Sequence, residues 1–296
     1  MQEDKSVYKK DIVVNNFQKI KIYILNNPLS HVSFWLVIFI CFVSIFASIV
    51  SPYSPNDSVG IPLLKPSWDQ SGSLNYFLGT DSYGRDVFTR IITGIQLTYG
   101  YSICVVLISI IVGVFLGVIS GMTRGLKSSV INHFLDPILS MPSILIAIII
   151  VIIVGPGEFN VLFAIGLSLI PQFIRNIRTI TKAELNKNYV TAAKLDGEKN
   201  WGLFKNSLLP NLLVPIINEF TRGMTITIID ISALGFLGLG AQPPSSELGC
   251  MIGSSIQFTY IAPWLIIIPG ITLSICIFST NFLSNSIINA LNEGIE

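Results

Sequence analysis

An all-α, polytopic membrane protein with six spanning helices is the fold class the sequence predicts, on three observations. Only 12% of the 296 residues are charged while 51% are hydrophobic, and the mean hydropathy is +0.68. A water-soluble domain carries about a quarter charged residues. Apolar runs recur near the length of about 20 residues that carries a helix across some 30 Å of hydrocarbon. The basic residues, finally, are unevenly shared among the segments between those runs.

Taken in order, the first span is expected over residues 28–50, with Asn27 at the N-cap and Pro28 in the first turn, where a missing N–H costs nothing. The second covers 97–121 and the third 139–154, with GPGEFN alone separating the third from the fourth. The fourth, 160–174, reads as short and broken by Pro171. The fifth covers 211–238 and the sixth 261–283. With the N-terminus inside, segments 1–32, 122–135 and 175–210 hold fourteen of the eighteen Lys and Arg residues on the cytoplasmic side. Lys65, Arg85 and Arg90 fall outside and Arg222 lies within a span. The positive-inside bias selects this orientation over its inverse.

The predicted organisation is therefore a cytoplasmic segment 1–27, the first span 28–50, an outward loop 51–96, a main transmembrane domain 97–290 and a cytoplasmic tail 291–296. The outward loop shows little helical periodicity before Asp86. An inward connection, 175–210, interrupts the main domain. Both connections exceed ordinary loop lengths, which marks them as functional candidates. Charged residues precede the first apolar run and no small-residue cleavage site follows it, so the N-terminus is not read as a cleavable signal.

Composition excludes several classes. A formal net charge of +1 gives no electrostatic case for nucleic acid. Cys41, Cys104, Cys250 and Cys276 have no metal-ligand or C-x-x-C spacing and read as small apolar side chains. His31 and His133 lie near membrane boundaries and read as interfacial. No G-x-x-x-x-G-K-[ST] phosphate loop is present, and Gly155-Pro156-Gly157 is a turn. No catalytic residue, metal site or bound cofactor is expected.

Three features remain. Gly113, Gly117 and Gly121 form a stripe one turn apart, which lets helices approach closely, within a bundle or across a dimer. Glu219, Arg222 and Asp230 place ionised groups within a span, at about 2.5–3.5 kcal/mol each on insertion scales, so they need partners or water. Glu219 and Arg222 can neutralise one another at i, i+3. Asp230 has no partner within a turn, and both a polar pathway and a bond to another helix would suit it.

The third feature is YVTAAKLDGEKN, residues 189–200. Arg175, Arg178 and Lys182 share one helical face, so the fourth span is expected to run on into the cytoplasm. Tyr189 to Leu195 can form a short helix on which Ala192 and Ala193 make a flat face. Gly197 permits a left-handed turn. A second short helix around Trp201 to Leu208 would end at Leu209-Pro210. Alone, this pattern favours a solvated connector over a docking element.

Thr191-Ala192-Ala193, then Gly197, then Leu209-Pro210 resembles the E-A-A-x-x-x-G…I-x-L-P loop of bacterial ABC importer permeases, which docks on a cytoplasmic ATPase. Gly79-Thr80-Asp81-Ser82-Tyr83-Gly84-Arg85-Asp86-Val87 is similar to the G-T-D-x-x-G-R-D-V segment of the dipeptide and oligopeptide branch. So are Leu234-Gly235-Phe236-Leu237-Gly238-Leu239-Gly240, the following Gln242-Pro243-Pro244 and Gly249, and Asn27-Pro28 before the first span. The likeness covers roughly residues 25–290. Lys194-Leu195-Asp196-Gly197, Asp230 to Phe236 and Tyr260 to Trp264 are most similar to the C-type permeases of peptide-transport systems. Two positions depart: Thr191 stands for the usual Glu and Ser207 for the usual Ile. Asp196 or Glu198 would have to supply the missing carboxylate.

The resemblance implies a type I ABC importer transmembrane subunit, multi-pass in the bacterial inner membrane with both termini cytoplasmic and residues 51–96 periplasmic. Its implied substrates are peptides, small cationic or antimicrobial ones included. The implied partners are a second homologous permease, two ABC ATPase subunits that bind ATP and Mg, and a periplasmic solute-binding protein. The residues carried over to ATPase coupling are Tyr189, Thr191, Ala192, Ala193, Lys194, Asp196, Gly197, Leu209 and Pro210. Glu219, Arg222 and Asp230 are candidate pathway residues. A polyamine or other small-solute ABC permease is the alternative within the class, and a gradient-driven secondary transporter the alternative outside it.

Overall fold

The structure, a computed structural model, describes residues 16–123, 135–195, 197–198 and 202–292. Helix α1, Asn16–Asn26, is separated from α2, Pro28–Val50, by the single residue Asn27. The Pro28 ring forces the residue before it out of the helical region, and Asn27 is extended at φ −108°, ψ 114°. Asn27 occupies the N-cap position of α2 without capping it through its side chain. Its Nδ2 reaches back instead to the Tyr23 carbonyl at 3.1 Å.

The next helix, α3, runs unbroken over Val87–Met122. It starts ten residues before the apolar run suggests, because Asp86 caps it by accepting from the Thr89 N–H at 2.8 Å. One π turn, Gln96–Gly100, lies within it. The third predicted span is realised as α4, Ser143–Val154, whose 12 residues give only about 18 Å of helix at 1.5 Å each. Helix α5, Glu158–Leu185, corrects the expectation of a short, broken fourth span: its 28 residues continue through Pro171. A proline inside a helix costs about 3 kcal/mol in water. Between packed spans, neighbouring groups can satisfy the freed carbonyl.

Helix α6, Asn188–Leu195, and a π turn, Leu203–Leu208, lead into α7, Leu209–Phe236. A short apolar helix, α8, Leu248–Ser255, precedes α9, Trp264–Asn292. Among the described residues, α2, α3, α5, α7 and α9 are each long and apolar enough to cross a bilayer.

Glycines set the closest approach in the bundle. The stripe on α3 packs against α5 of the same chain, so it serves the bundle. A Cβ on Gly117 would stand 2.8 Å from the Ile177 Cβ, and one on Gly121 2.7 Å from the Thr181 Cβ. At Gly113 it would overlap Phe173. Gly223 of α7 meets the other side of the Phe173 ring, 2.6 Å from its Cζ to a built Cβ. This ring, 1% exposed, keys α3, α5 and α7 together in the main core.

Candidate functional site

Where α5 ends and α7 begins, a second core sits apart from the main one. Val118 of α3, Ile177 of α5, Val190 of α6, Leu203 and Leu208 of the π turn, and Leu212 of α7 bury one another. An isolated helix of eight residues is unstable in water, so α6 owes its shape to this cluster. Val190 and Ala193, three residues apart, face it. Thr191, Ala192 and Leu195 occupy the open side, Leu195 at 84% exposure. The expected flat face of paired alanines is thereby divided: Ala193 packs inward and Ala192 points out.

Tyr189 closes the junction. Its hydroxyl donates to Glu184 Oε2 at 2.9 Å and accepts from Asn211 Nδ2 at 3.2 Å, tying α5, α6 and the start of α7 together. Lys187 Nζ pairs with the other Glu184 oxygen at 2.7 Å. Burial first, then the Glu184 carboxylate, push the Tyr189 phenol up to about 12, so it keeps its proton and remains a donor. Gly197 turns the chain at φ +84°, where an L side chain is strained, and among the described residues nothing occupies the space a Cβ there would enter. The Glu198 N–H closes back on the Ala193 carbonyl at 3.1 Å. Lys194 belongs to α6, and Leu209 and the exposed Pro210 start α7. Asp196 and Trp201 lie outside the described residues.

Within the bundle, Glu219 and Arg222 form the predicted pair at 3.1 Å, and Asn176 of α5 donates to the same Glu219 oxygen at 2.9 Å. The carboxylate is buried, while the Arg222 side chain is 47% exposed. This makes Glu219 a link between α5 and α7 and turns Arg222 toward the bundle exterior. Asp230 is buried, with Ser143, the first residue of α4, as its polar neighbour. Its Oδ2 has no hydrogen-bond partner among the described residues. Asp230 therefore keeps both roles open to it in the sequence, with Ser143 of α4 as the neighbour for the interhelical one.

The opposite end of the bundle holds residues the sequence did not assign. Asp81 Oδ1 accepts the Tyr83 and Arg85 N–H groups at 2.8 and 3.0 Å, and its Oδ2 the Arg85 Nε at 2.6 Å. Gly79 and Gly84 allow this tight loop with φ of +80° and +73°. Arg90, counted above among the outward loop charges, is instead buried in the first turn of α3. It donates to the carbonyls of Pro55, Pro244 and Ser245 at 2.9–3.1 Å and lies 3.5 Å from Asp81. Glu247 caps α8 through the Gly249 and Cys250 N–H groups at 2.9 and 2.7 Å. It also receives the hydroxyls of Thr98 of α3 and Ser232 of α7. A Cβ at Gly235 or Gly249 would collide with Glu247 or the Ser232 backbone, respectively, which explains the glycine-rich stretch around them. A carboxylate just before an apolar run was the local signal for Glu247. For Arg90 no local signal existed.

A family model, the binding-protein-dependent transport system inner membrane component, matches residues 113–295. The chain belongs to this family. A second model, the N-terminal transmembrane domain of oligopeptide transport permease C, matches residues 17–66. The chain is 40% identical over 253 residues to the peptide transport system permease protein SapC of Salmonella typhimurium, covering 85% of this chain and 86% of that protein. It is 36% identical over 275 residues to the dipeptide transport system permease protein DppC of Escherichia coli, covering 93% and 92%. The fold matches inward-facing MetNI methionine ABC transporter structures, with TM-score 0.54, 18% identity, and coverage of 68% of this chain and 96% of that one. The protein is thus an integral inner-membrane permease, all-α and of the type I importer fold, and a component of an ABC transporter.

Proposed function

We propose that this permease conducts peptides through the membrane on energy drawn from ATP bound, with Mg, to separate ATPase subunits. It pairs with a second, homologous permease, two ATPases and a periplasmic solute-binding protein. Both termini and α6 lie on the cytoplasmic side, with residues 51–86 periplasmic. The observation that carries this reading is the knob formed by α6 and Gly197. It is rigidly seated on its own core at the junction of two spans, yet presents Thr191, Ala192 and Leu195 to a partner. Thr191 does so without the usual carboxylate, so contact there is made by packing.

Movement of the knob reaches the bundle through α5 and α7, which run on from its core and are cross-linked by Asn176 and Glu219. Rocking of rigid helices about a fixed site is how such a subunit alternates its access. Asp230, within the bundle, and Arg222, on the face open to the second permease, are the ionisable side chains proposed to meet a translocating peptide. The relatives named for peptide and dipeptide transport support the substrate class. Uptake of a labelled peptide by proteoliposomes holding the assembled complex tests it. Uptake is expected with internal or external ATP at the ATPase face and none with a proton gradient alone. Uptake on the gradient without nucleotide would refute the reading.

A further inference from the structure

Where α1 meets α2, a groove of about 430 Å³ opens on the side of the bundle. Ile20, Ile24 and Leu25 of α1 form one wall and Phe34 and Trp35 of α2 the other. The lining is apolar except for two side chains, Lys21 and His31. Helix α1 carries Lys19 and Lys21 and no carboxylate. The Trp35 indole N–H donates to His31 Nε2 at 3.2 Å, which leaves His31 Nδ1 as the donor of the neutral ring. Trp35 is 57% exposed and Phe39, one turn further along α2, 60%. The groove is therefore continuous with the exposed apolar face of a bilayer-crossing helix.

We infer that this groove is a binding site for an anionic phospholipid. One acyl chain lies along Ile20, Ile24, Leu25 and Phe34, and the headgroup phosphate sits between Lys21 and His31. An apolar slot rimmed by one ammonium, Lys21, and one N–H donor, His31, beside a membrane helix suits this ligand class, since basic residues near the surface attract anionic headgroups. The seat is rigid. Ile24 is buried against the bundle, Tyr23 meets Asn289 of α9, and Ser286 of α9 bonds Ser30 at 2.7 Å. A lipid held here would brace α1 against α2 and α9, the first and last spans of the chain. The inference stands apart from the ATPase-coupling reading, because it uses only the placement of α2 in the bilayer.

The test is native mass spectrometry of the full transporter complex released from nanodiscs of equimolar phosphatidylglycerol and phosphatidylcholine. Wild-type complex is expected to retain phosphatidylglycerol in excess on the order of fivefold. The Lys21→Gln/His31→Gln variant should lose that excess while keeping its elution profile and melting temperature. Leu25→Trp, a change at a 60% exposed position that fills the slot, should reduce retention of both lipids. Equal retention of the two lipids by wild type would overturn the inference, as would an undiminished excess in the double variant.

Discussion

Arg90 shows how much one side chain can hold. Its guanidinium joins the loop at Pro55, the loop at Pro244 and Ser245, and the Asp81 turn to the first turn of α3. The planar fork donates in several directions at once, which a lysine ammonium on a flexible stem does not reproduce. Removing one partner of a buried ion pair costs about 3–5 kcal/mol because the other charge is left behind. Arg90→Ala is therefore expected to lower the melting temperature of the purified complex by many degrees, and Arg90→Lys to recover only part of the loss. The GTDSYGRDV stretch was recognisable as a motif, but the task of Arg90 was not legible. Its carbonyl partners lie 35, 154 and 155 positions away. Glu219 and Arg222 were legible because both partners sit on one helix face. Asp230 was half so, since Ser143 is on another helix.

For whole helices, hydropathy located the spans and misjudged their ends, for a physical reason at each. Helix α3 begins at Val87 because Asp86 caps it, although the residues that follow include a charged Arg90 that hydropathy penalises. Helix α5 survives Pro171 because packing against α3 outweighs a lost backbone bond. The glycine stripe was legible as a close-approach face, but a period cannot name the partner. The structure supplies it in Phe173, Ile177 and Thr181. Gly117→Leu must push α3 and α5 apart, and overpacking of this kind typically costs about 1–3 kcal/mol. Lower yield of folded permease and a lower melting temperature are expected. The same change at Ile111, 66% exposed on α3, should leave both unaltered.

In the molecule as a whole, two rigid ends are joined by α3, α5 and α7. One end is tied by Arg90 and Glu247, and the other is the small core beneath α6. Under the proposed function, such an arrangement carries displacement from the α6 knob into the bundle. Ala193 is unsuited to testing that idea, because a bulky residue there would disrupt the core it packs on. Ala192 is exposed, so Ala192→Trp leaves the fold intact and changes only what a partner meets. The decisive measurement is peptide uptake and ATP hydrolysis, side by side, in proteoliposomes of the complex carrying Ala192→Trp. Loss of at least about tenfold in uptake, roughly 1.4 kcal/mol of coupling, with normal insertion and melting temperature, is expected. Wild-type uptake by that variant would show that α6 is a solvated connector and that the motor engages the permease elsewhere.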